Sequence, residues 1–414
     1  MTLIVRKYGG KSLANANKIR QVASHISATR RSGNEVVVVV SAMGDATDNL
    51  ISLAEQVADS PDSREMDVLL STGELVSAAL VVMALQSLGD KAISLSGAQA
   101  GILTDTGHRK AKIASVISNR VKEELDNGNI VVIAGFQGVA ESMDITTLGR
   151  GGSDTTAVTL AAHLRAARCE VFTDVDGIYT ANPKFVPSAR RLDEIEYDEM
   201  LELANYGAKM DPRSIEIAMH YDVPIVVASS MMGGPGTLIH RGVKMTESTR
   251  RVVGELRQQV RSIAVDKNVA EISVLGITDR PGIAAALFEP LAKANISVDI
   301  IVSSSGSEDT TDFSFTVTEE DLKHALSIIE PVANEIGCRN VIGNTGLAKI
   351  SIVGTGMQDT PGYAAKMFSA LSKEGINIEV ITTSEIRITC VVDELRAVEA
   401  VRSLHNTFEL DKVD

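Results

Sequence analysis

The chain predicts an α/β protein: an αβα sandwich with a mostly parallel central sheet, followed by two smaller βαββαβ modules. Three observations carry this. β-branched runs alternate with helical stretches through the first half. A charged segment, Arg241 to Gln259, then breaks the pattern. After it the chain repeats itself: "RPGIAAALFEPLAKANISVDII" begins at Arg280 and "TPGYAAKMFSALSKEGINIEVI" at Thr360, 80 residues apart.

The strands are read from "LIV" running into Lys7, then 35–40, 91–95, 129–136, 170–174 and 223–229. Such continuous apolar runs suit strands covered on both faces, as in a parallel sheet. Helices are expected over Ser12 to Arg31, Ala111 to Asp126 and Asp154 to Ala167, and the sandwich closes near "GPGTLIH" (Gly234 to His240). The Pro-Gly pair of each repeat starts a helix. The expected domains are 1–242, a linker 243–261, and modules at 262–345 and 346–414.

Aromatics make up only 3% of the 414 residues and Trp is absent, so Val, Ile, Leu and Ala must fill the cores. The formal charge of −14 lacks the basic face of a nucleic-acid binder. The three cysteines form no C-x-x-C pair, which suits reduced thiols in a cytoplasmic protein and no cysteine-held metal. Arg6 and Lys7 interrupt the apolar start, unlike a signal peptide. Val68 to Gly89 is apolar enough to test as a membrane span. Its Ser, Thr, Gln and Glu residues argue for a buried helix instead.

"RKYGGKS" (Arg6 to Ser12) ends like a P-loop, but Val5 stands where that motif needs glycine. Lys7 closes a strand, and Gly9 and Gly10 let backbone N–H groups approach an anion. A phosphate-contacting lysine and a plain surface lysine both fit. "SAMGDATDNL" follows the second strand, where ligands of open sheets bind. Ser41 and Thr47 suit a small polar substrate, or the loop simply caps a helix.

Glu74 is the only charged residue between Val68 and Gly89. Buried, it needs a partner, either a substrate ammonium or an internal cation. In "TTLGRGGSDTTA" (Thr146 to Ala157), Ser153 or Asp154 can cap a helix. Capping does not explain Arg150 flanked by Gly149, Gly151 and Gly152, which suits a grip on a carboxylate. In "FTDVDGIYTANPK", Thr173, Asp174 and Tyr179 suit a nucleotide, while Asp176-Gly177 is also a good turn. Lys209 in "YGAKMDPR" is a phosphate ligand or a solvated lysine.

Together, "KYGG", "SAMGDATD", "STGE", "TTLGRGGSDTTA", "TDVDGIYTANP" and "GAK", in this order, resemble the aspartokinases of the amino-acid kinase family. The repeats look like that family's ACT domains, and the likeness spans essentially the whole chain. It is nearest the shorter bacterial type without a fused homoserine dehydrogenase. The resemblance implies transfer of the ATP γ-phosphoryl group, with Mg2+, to the side-chain carboxylate of L-aspartate. That is the entry to lysine, threonine and methionine synthesis.

By family role, Lys7 steadies the transferring phosphoryl group and Asp154 organises that lysine and nearby donors. Ser41, Thr47, Glu74, Arg150, Gly151 and Ser153 border aspartate. Lys7, Gly9, Gly10, Thr173, Asp174, Tyr179, Lys184 and Lys209 lie along the nucleotide. Lysine, threonine or both act as effectors, at Asp279, Pro281, Gly282, Ile283, Asn295 and Ile296 in the first module and Asn377, Ile378, Thr383 and Ser384 in the second. No bound metal site, membrane or nucleic-acid partner is implied. A homo-oligomer, or a hetero-oligomer with a short regulatory subunit started at Met245, is.

Three departures from the family pattern stand out. Lys11 replaces its usual Ser or Thr. "GAKMDPR" is one residue shorter after the lysine. "DIIVSSSGSEDTTD" (Asp299 to Asp312) lacks the Gln-Asn pair common at that strand's end. The alternatives are a kinase of glutamate, acetylglutamate, carbamate or UMP, and an inactive amino-acid sensor.

Overall fold

The computed structural model describes residues 1–208, 210–231, 233–242, 260–305, 310–357 and 360–412. Two compact units emerge. One holds Met1–Tyr179 and Arg191–Arg250, the other Thr180–Arg190 and Arg251–Asp414.

The first unit runs β1 (Thr2–Tyr8), α1 (Ala16–Arg31), β2 (Asn34–Val40), α2 (Ala46–Val57), α3 (Ser63–Ser87), β3 (Ala92–Leu95), β4 (Ile102–Thr104) and β5 (Ile113–Val116). It continues with α4 (Asn119–Asp126), β6 (Ile130–Ala134), β7 (Gln137–Val139), β8 (Ile145–Thr147), α5 (Gly152–Leu164) and β9 (Arg168–Thr173). Then come β10 (Glu194–Glu196), α6 (Tyr197–Asn205), α7 (Pro212–Tyr221), β11 (Ile225–Ser229) and β12 (Thr237–His240). Eight strands form one sheet in the order β10-β12-β11-β9-β1-β2-β6-β3. Its centre is parallel, β1 lying between β2 and β9, and only β12 opposes its neighbour β11.

Val36 to Val40 are fully buried along both faces of β2, as a parallel sheet covered on both sides requires. On one face Val36, Val38 and Val40 pack with Ile19, Val22 and Ile26 of α1 and Val81 and Leu85 of α3. This face explains α3. The helix is long and apolar enough to cross a membrane, yet half of its most apolar window is buried within the protein.

Two helix expectations shift. Residues 10–13 form a single 3₁₀ turn, and α1 starts at Ala16 because the Asn15 side chain accepts the Lys18 N–H and caps it. Ala111 to Asp126 is helical only from Asn119. Its first part is β5, paired with β4, because Gly101 bends with φ 78° and its main-chain oxygen takes the Ile117 N–H. Four short strands, β5-β4-β7-β8, make this second sheet, and β8 leads into the loop before α5.

The second unit runs β13 (Ser262–Thr278), α8 (Ile283–Lys293), β14 (Ile301–Ser305), β15 (Thr310–Val317), α9 (Leu322–Glu335), β16 (Asn340–Val353), α10 (Tyr363–Lys373), β17 (Val380–Thr383), β18 (Arg387–Asp393) and α11 (Ala397–Thr407). One six-stranded antiparallel sheet, β14-β15-β13-β16-β18-β17, joins both repeats. The matched helices α8 and α10 each start after a left-handed glycine, Gly282 (φ 97°) and Gly362 (φ 111°).

The repeats interlock. Ser262–Asp266 pair with the Lys349–Val353 end of β16, and Val260 and Ile263 join the core of the second repeat beside Ile350, Leu371 and Leu404. The start of the first module at 262 therefore serves the second repeat's core. Residues 180–190, placed by the sequence reading within 1–242, also pack in that core through Ala181 and Val186. Arg402 Nε donates to the Phe185 carbonyl at 2.7 Å. Residues 243–259, including Met245 and most of the expected linker, lie outside the described residues.

Thr180 Oγ1 accepts the Arg190 N–H at 3.0 Å and lies 3.0 Å from His405 Nε2. The imidazole is fully buried, which favours its neutral form. Burial, the largest cause, pushes its pKa down, with Arg190 adding to this and Asp411 opposing it. The unfolded chain then binds a proton more readily than the folded one. Stability should be fully present above about 6.5 and fall as pH drops below it. Chemical denaturation at pH 7.5 and 5.5 tests this. Wild type should lose up to about 1.4 kcal/mol per pH unit more than His405→Gln; equal losses would contradict the neutral assignment.

Candidate active site

Lys7 is the penultimate residue of β1, flanked by Val39 of β2 and Val171 of β9. Its side chain is about one-tenth exposed, and Nζ meets Asp154 Oδ1 at 2.6 Å. Asp154 lies in the first turn of α5, where the helix dipole also favours a carboxylate. The sequence predicted a lysine at a strand end and an acid at a helix start, and the fold joins them.

The turn after Lys7 requires its glycines. A Cβ on Gly10 would sit 2.6 Å from the Ala42 carbonyl oxygen, and Gly10 O accepts the Gly44 N–H at 3.0 Å. The loops after β1 and β2 are thereby stitched together, with Ser41 N–H donating to Tyr8 O. Thr47 sits in the first turn of α2 behind this loop. Thr173 and Asp174 close β9 beside Gly9, whose N–H donates to Phe172 O.

Glu74 reaches the same loop from α3. Gly73 lets the helix press in, since a Cβ there would lie 2.9 Å from the Ala42 Cβ. Glu74 Oε1 accepts the Ala42 N–H at 3.1 Å, while the buried Oε2 has no partner. Burial pushes its pKa up to about 7, against the lowering effect of the Ala42 bond. The internal cation that would make Glu74 purely structural is not among the described residues around it.

Arg150 sits between two left-handed glycines, Gly149 (φ 78°) and Gly151 (φ 73°). Its side chain is exposed and pairs with no carboxylate among the described residues. Ser153 packs behind it, 2.9 Å from where a Cβ on Gly135 would be.

Lys11 Nζ bonds Asp174 Oδ2 at 3.0 Å, and that bond raises its pKa. Lys18 Nζ donates to Lys11 O at 2.7 Å. A cavity of about 440 Å³ opens there, lined by Lys11, Ser12, Lys18, Asp174 and Ser230 among others. Ser12 Oγ and Ser230 Oγ are 2.7 Å apart at its wall. Neither Lys18 nor Ser230 stands out in the sequence.

Other candidates are dispersed. Tyr179 donates to Asp176 Oδ1 at 2.7 Å and bridges to Arg191. Lys184 belongs to the second unit and is exposed, and Lys209 lies outside the described residues. Of the effector candidates, Ile283 and Ile296 spend their side chains in the first repeat's core. Asp279, Pro281 and Gly282 form the turn before α8, and Asn295 (φ 56°) the turn after it. Asn377 Nδ2 donates to Glu379, Ile378 packs on the second repeat's core, and Thr383 and Ser384 lie at the end of β17. Residues 306–309 of the changed segment lie outside the described residues.

The profile of the amino acid kinase family matches residues 2–229, and an ACT domain profile matches 272–331 and 350–408. An aspartate kinase of Pseudomonas putida is 47% identical over 412 residues, covering 99% of this chain and 98% of that protein. The chain belongs to the aspartokinases of the amino acid kinase family. E. coli aspartokinase III, solved with aspartate and ADP in its R-state, superposes with a TM-score of 0.79 at 26% identity, over 98% of this chain and all of that one. Its T-state complex with lysine and aspartate gives 0.72 at 25% identity, over 98% and 99%.

The enzyme is therefore an aspartate kinase, using ATP to make 4-phospho-L-aspartate. Among the described residues no group of three or more His, Cys, Asp or Glu converges as a metal cage.

The raised Glu74 pKa means the folded state holds its proton more tightly than the unfolded chain. The stability this group contributes is present below about 4.5 and lost as pH rises through about 7. Glu74→Gln should therefore stabilise the unliganded protein at pH 8 by up to about 3 kcal/mol, and little at pH 5. Denaturant midpoints at both pH values check this; a destabilised variant at pH 8 would refute it.

Proposed function

We propose that Lys7, Asp154, Glu74 and Arg150 are the working residues of this aspartate kinase. The observation that carries the reading is the half-satisfied Glu74 carboxylate, buried beside the loop that joins the phosphate turn. A substrate ammonium supplies the missing partner and keeps Glu74 ionised near neutral pH. Arg150 takes a carboxylate of aspartate in a bidentate grip, with Ser41, Thr47, Gly151 and Ser153 bordering the site.

The aspartate side-chain carboxylate is itself the nucleophile. One of its oxygens bonds the γ-phosphorus as the bond from phosphorus to the β–γ bridging oxygen breaks, and ADP leaves with that electron pair. No proton is removed, so no general base is needed. The protein contributes positioning and charge neutralisation. Lys7, held by Asp154, faces the transferring phosphoryl group, and the Gly9 and Gly10 turn lets the chain approach the phosphates. Thr173, Asp174, Tyr179 and Lys209 serve the nucleotide. Bound with ATP, Mg2+ would supply further charge neutralisation at the phosphates.

The ACT units bind lysine, threonine or both, in line with the lysine complex of the E. coli relative. They also form the interface of a homo-oligomer or of a complex with a short regulatory subunit. A cytoplasmic location fits the three free cysteines.

An ADP-release assay with MgATP and a panel of amino acids should show turnover with aspartate, and its absence would overturn the reading. Glu74→Ala should raise the aspartate KM at least about tenfold with kcat little changed. Lys7→Ala should lower kcat about 10²–10³-fold. If both variants changed only the ATP KM, the assigned roles would be wrong.

A further inference from the structure

The segment that departs from the family length, just before α7, places a second carboxylate behind the Arg150 loop. The Asp211 side chain is 7% exposed. It caps α7 by accepting the Arg213 N–H and accepts Thr155 Oγ1–H of α5 at 2.6 Å. It also takes the Arg213 guanidinium, Nη2 donating to Oδ2 at 3.1 Å. The same Nη2 donates to the Arg150 main-chain carbonyl at 3.2 Å. Gly151 closes the contact, since a Cβ there would lie 2.5 Å from the Asp211 Cβ. The left-handed turn carrying Arg150 is therefore seated directly on Asp211.

We infer that Asp211 is the positioning residue for Arg150. Its carboxylate orients Arg213 onto the Arg150 carbonyl and ties down the first turn of α5 through Thr155. The loop's position thus rests on one buried charge. A long arginine side chain amplifies small main-chain shifts, so a loosened turn moves its guanidinium off the substrate carboxylate. Capping alone would need only the Arg213 N–H contact. The bonds to Thr155 and to the guanidinium that holds Arg150 O go beyond it. This inference rests on the reading of Arg150 as the aspartate-carboxylate ligand.

Steady-state kinetics of the full chain test it in a double-mutant cycle with Arg150→Ala and Asp211→Ala. Asp211→Ala should raise the aspartate KM about tenfold and leave the ATP KM within about twofold. In the Arg150→Ala background the same change should raise the aspartate KM no further. Asp211→Asn, which keeps the shape but loses the charge, should give a smaller rise. Arg213→Lys, which loses the planar fork, should mimic Asp211→Ala, and these two variants decide the matter if Asp211→Ala does not fold. An aspartate KM unmoved by them, or a loss in the Arg150→Ala background as large as in wild type, overturns the inference alone. An aspartate KM unmoved by Arg150→Ala overturns the substrate reading and this inference with it.

Discussion

The Lys7–Asp154 ion pair is the contact on which the site depends. An ammonium this buried costs several kcal/mol unless it is paired, and removing one partner leaves the other charge uncompensated. Lys7 is fixed by a central strand and Asp154 by the first turn of α5. Their 2.6 Å contact therefore sets where α5 begins relative to β1. The Gly149–Gly152 loop meets α5 at this point, and Asp211 seats its Arg150 turn. The loops after β1 and β2 are held to each other by Gly10 and Gly44, and Glu74 of α3 is bonded to the second of these loops through Ala42. One ion pair at the carboxyl edge of a parallel sheet thus gathers groups from β1, α3 and α5, as expected of open α/β sheets.

The glycines are the clearest link from sequence to site. At Gly10, Gly73 and Gly151 a side chain would run into the Ala42 carbonyl, the Ala42 methyl and the Asp211 side chain. These are three close approaches between loops or helices, and each lies next to a candidate site residue, Gly9, Glu74 or Arg150. At Gly282 and Gly362 nothing lies within 4 Å, and glycine is needed for its left-handed backbone alone.

What was legible in the sequence follows from range. The strands of the main sheet show as local apolar runs, and Lys7, Glu74 and Arg150 stand out against their own neighbours. The repeat also shows, because α8 and α10 match position for position. The shared sheet does not, since pairing of Ser262–Asp266 with Lys349–Val353 joins residues 83 to 91 positions apart. The capture of residues 180–190 by the second repeat's core is equally invisible, for it depends on Ala181 and Val186 meeting residues beyond 260. Asp211 offered one local hint, an Asp before a Pro that marks a helix start. Its bonds to Thr155 and Arg213 needed the fold. Asp67 gave no hint at all.

Asp67 and Glu74 show how differently one helix satisfies two buried carboxylates. They lie seven residues apart on one side of α3, and both are buried. Asp67 is saturated, accepting Thr147 Oγ1–H at 2.5 Å and the Arg109 N–H at 3.1 Å, with His108 Nδ1 at 2.8 Å. Those bonds tie α3 to the 108–110 turn and to β8, which leads into the Arg150 loop. Glu74 has one backbone bond and an orphaned oxygen. Nearly all buried polar atoms in folded proteins find partners, so an orphan beside a charge-handling loop is the exception that needs a reason. A cationic ligand supplies one. Saturating Glu74 as Asp67 is saturated would lower its pKa and steady the helix, but it would leave no free oxygen for a substrate ammonium. The stability forgone at Glu74 leaves that oxygen open, while the neighbouring Asp67 ties the helix to the 108–110 turn and to β8.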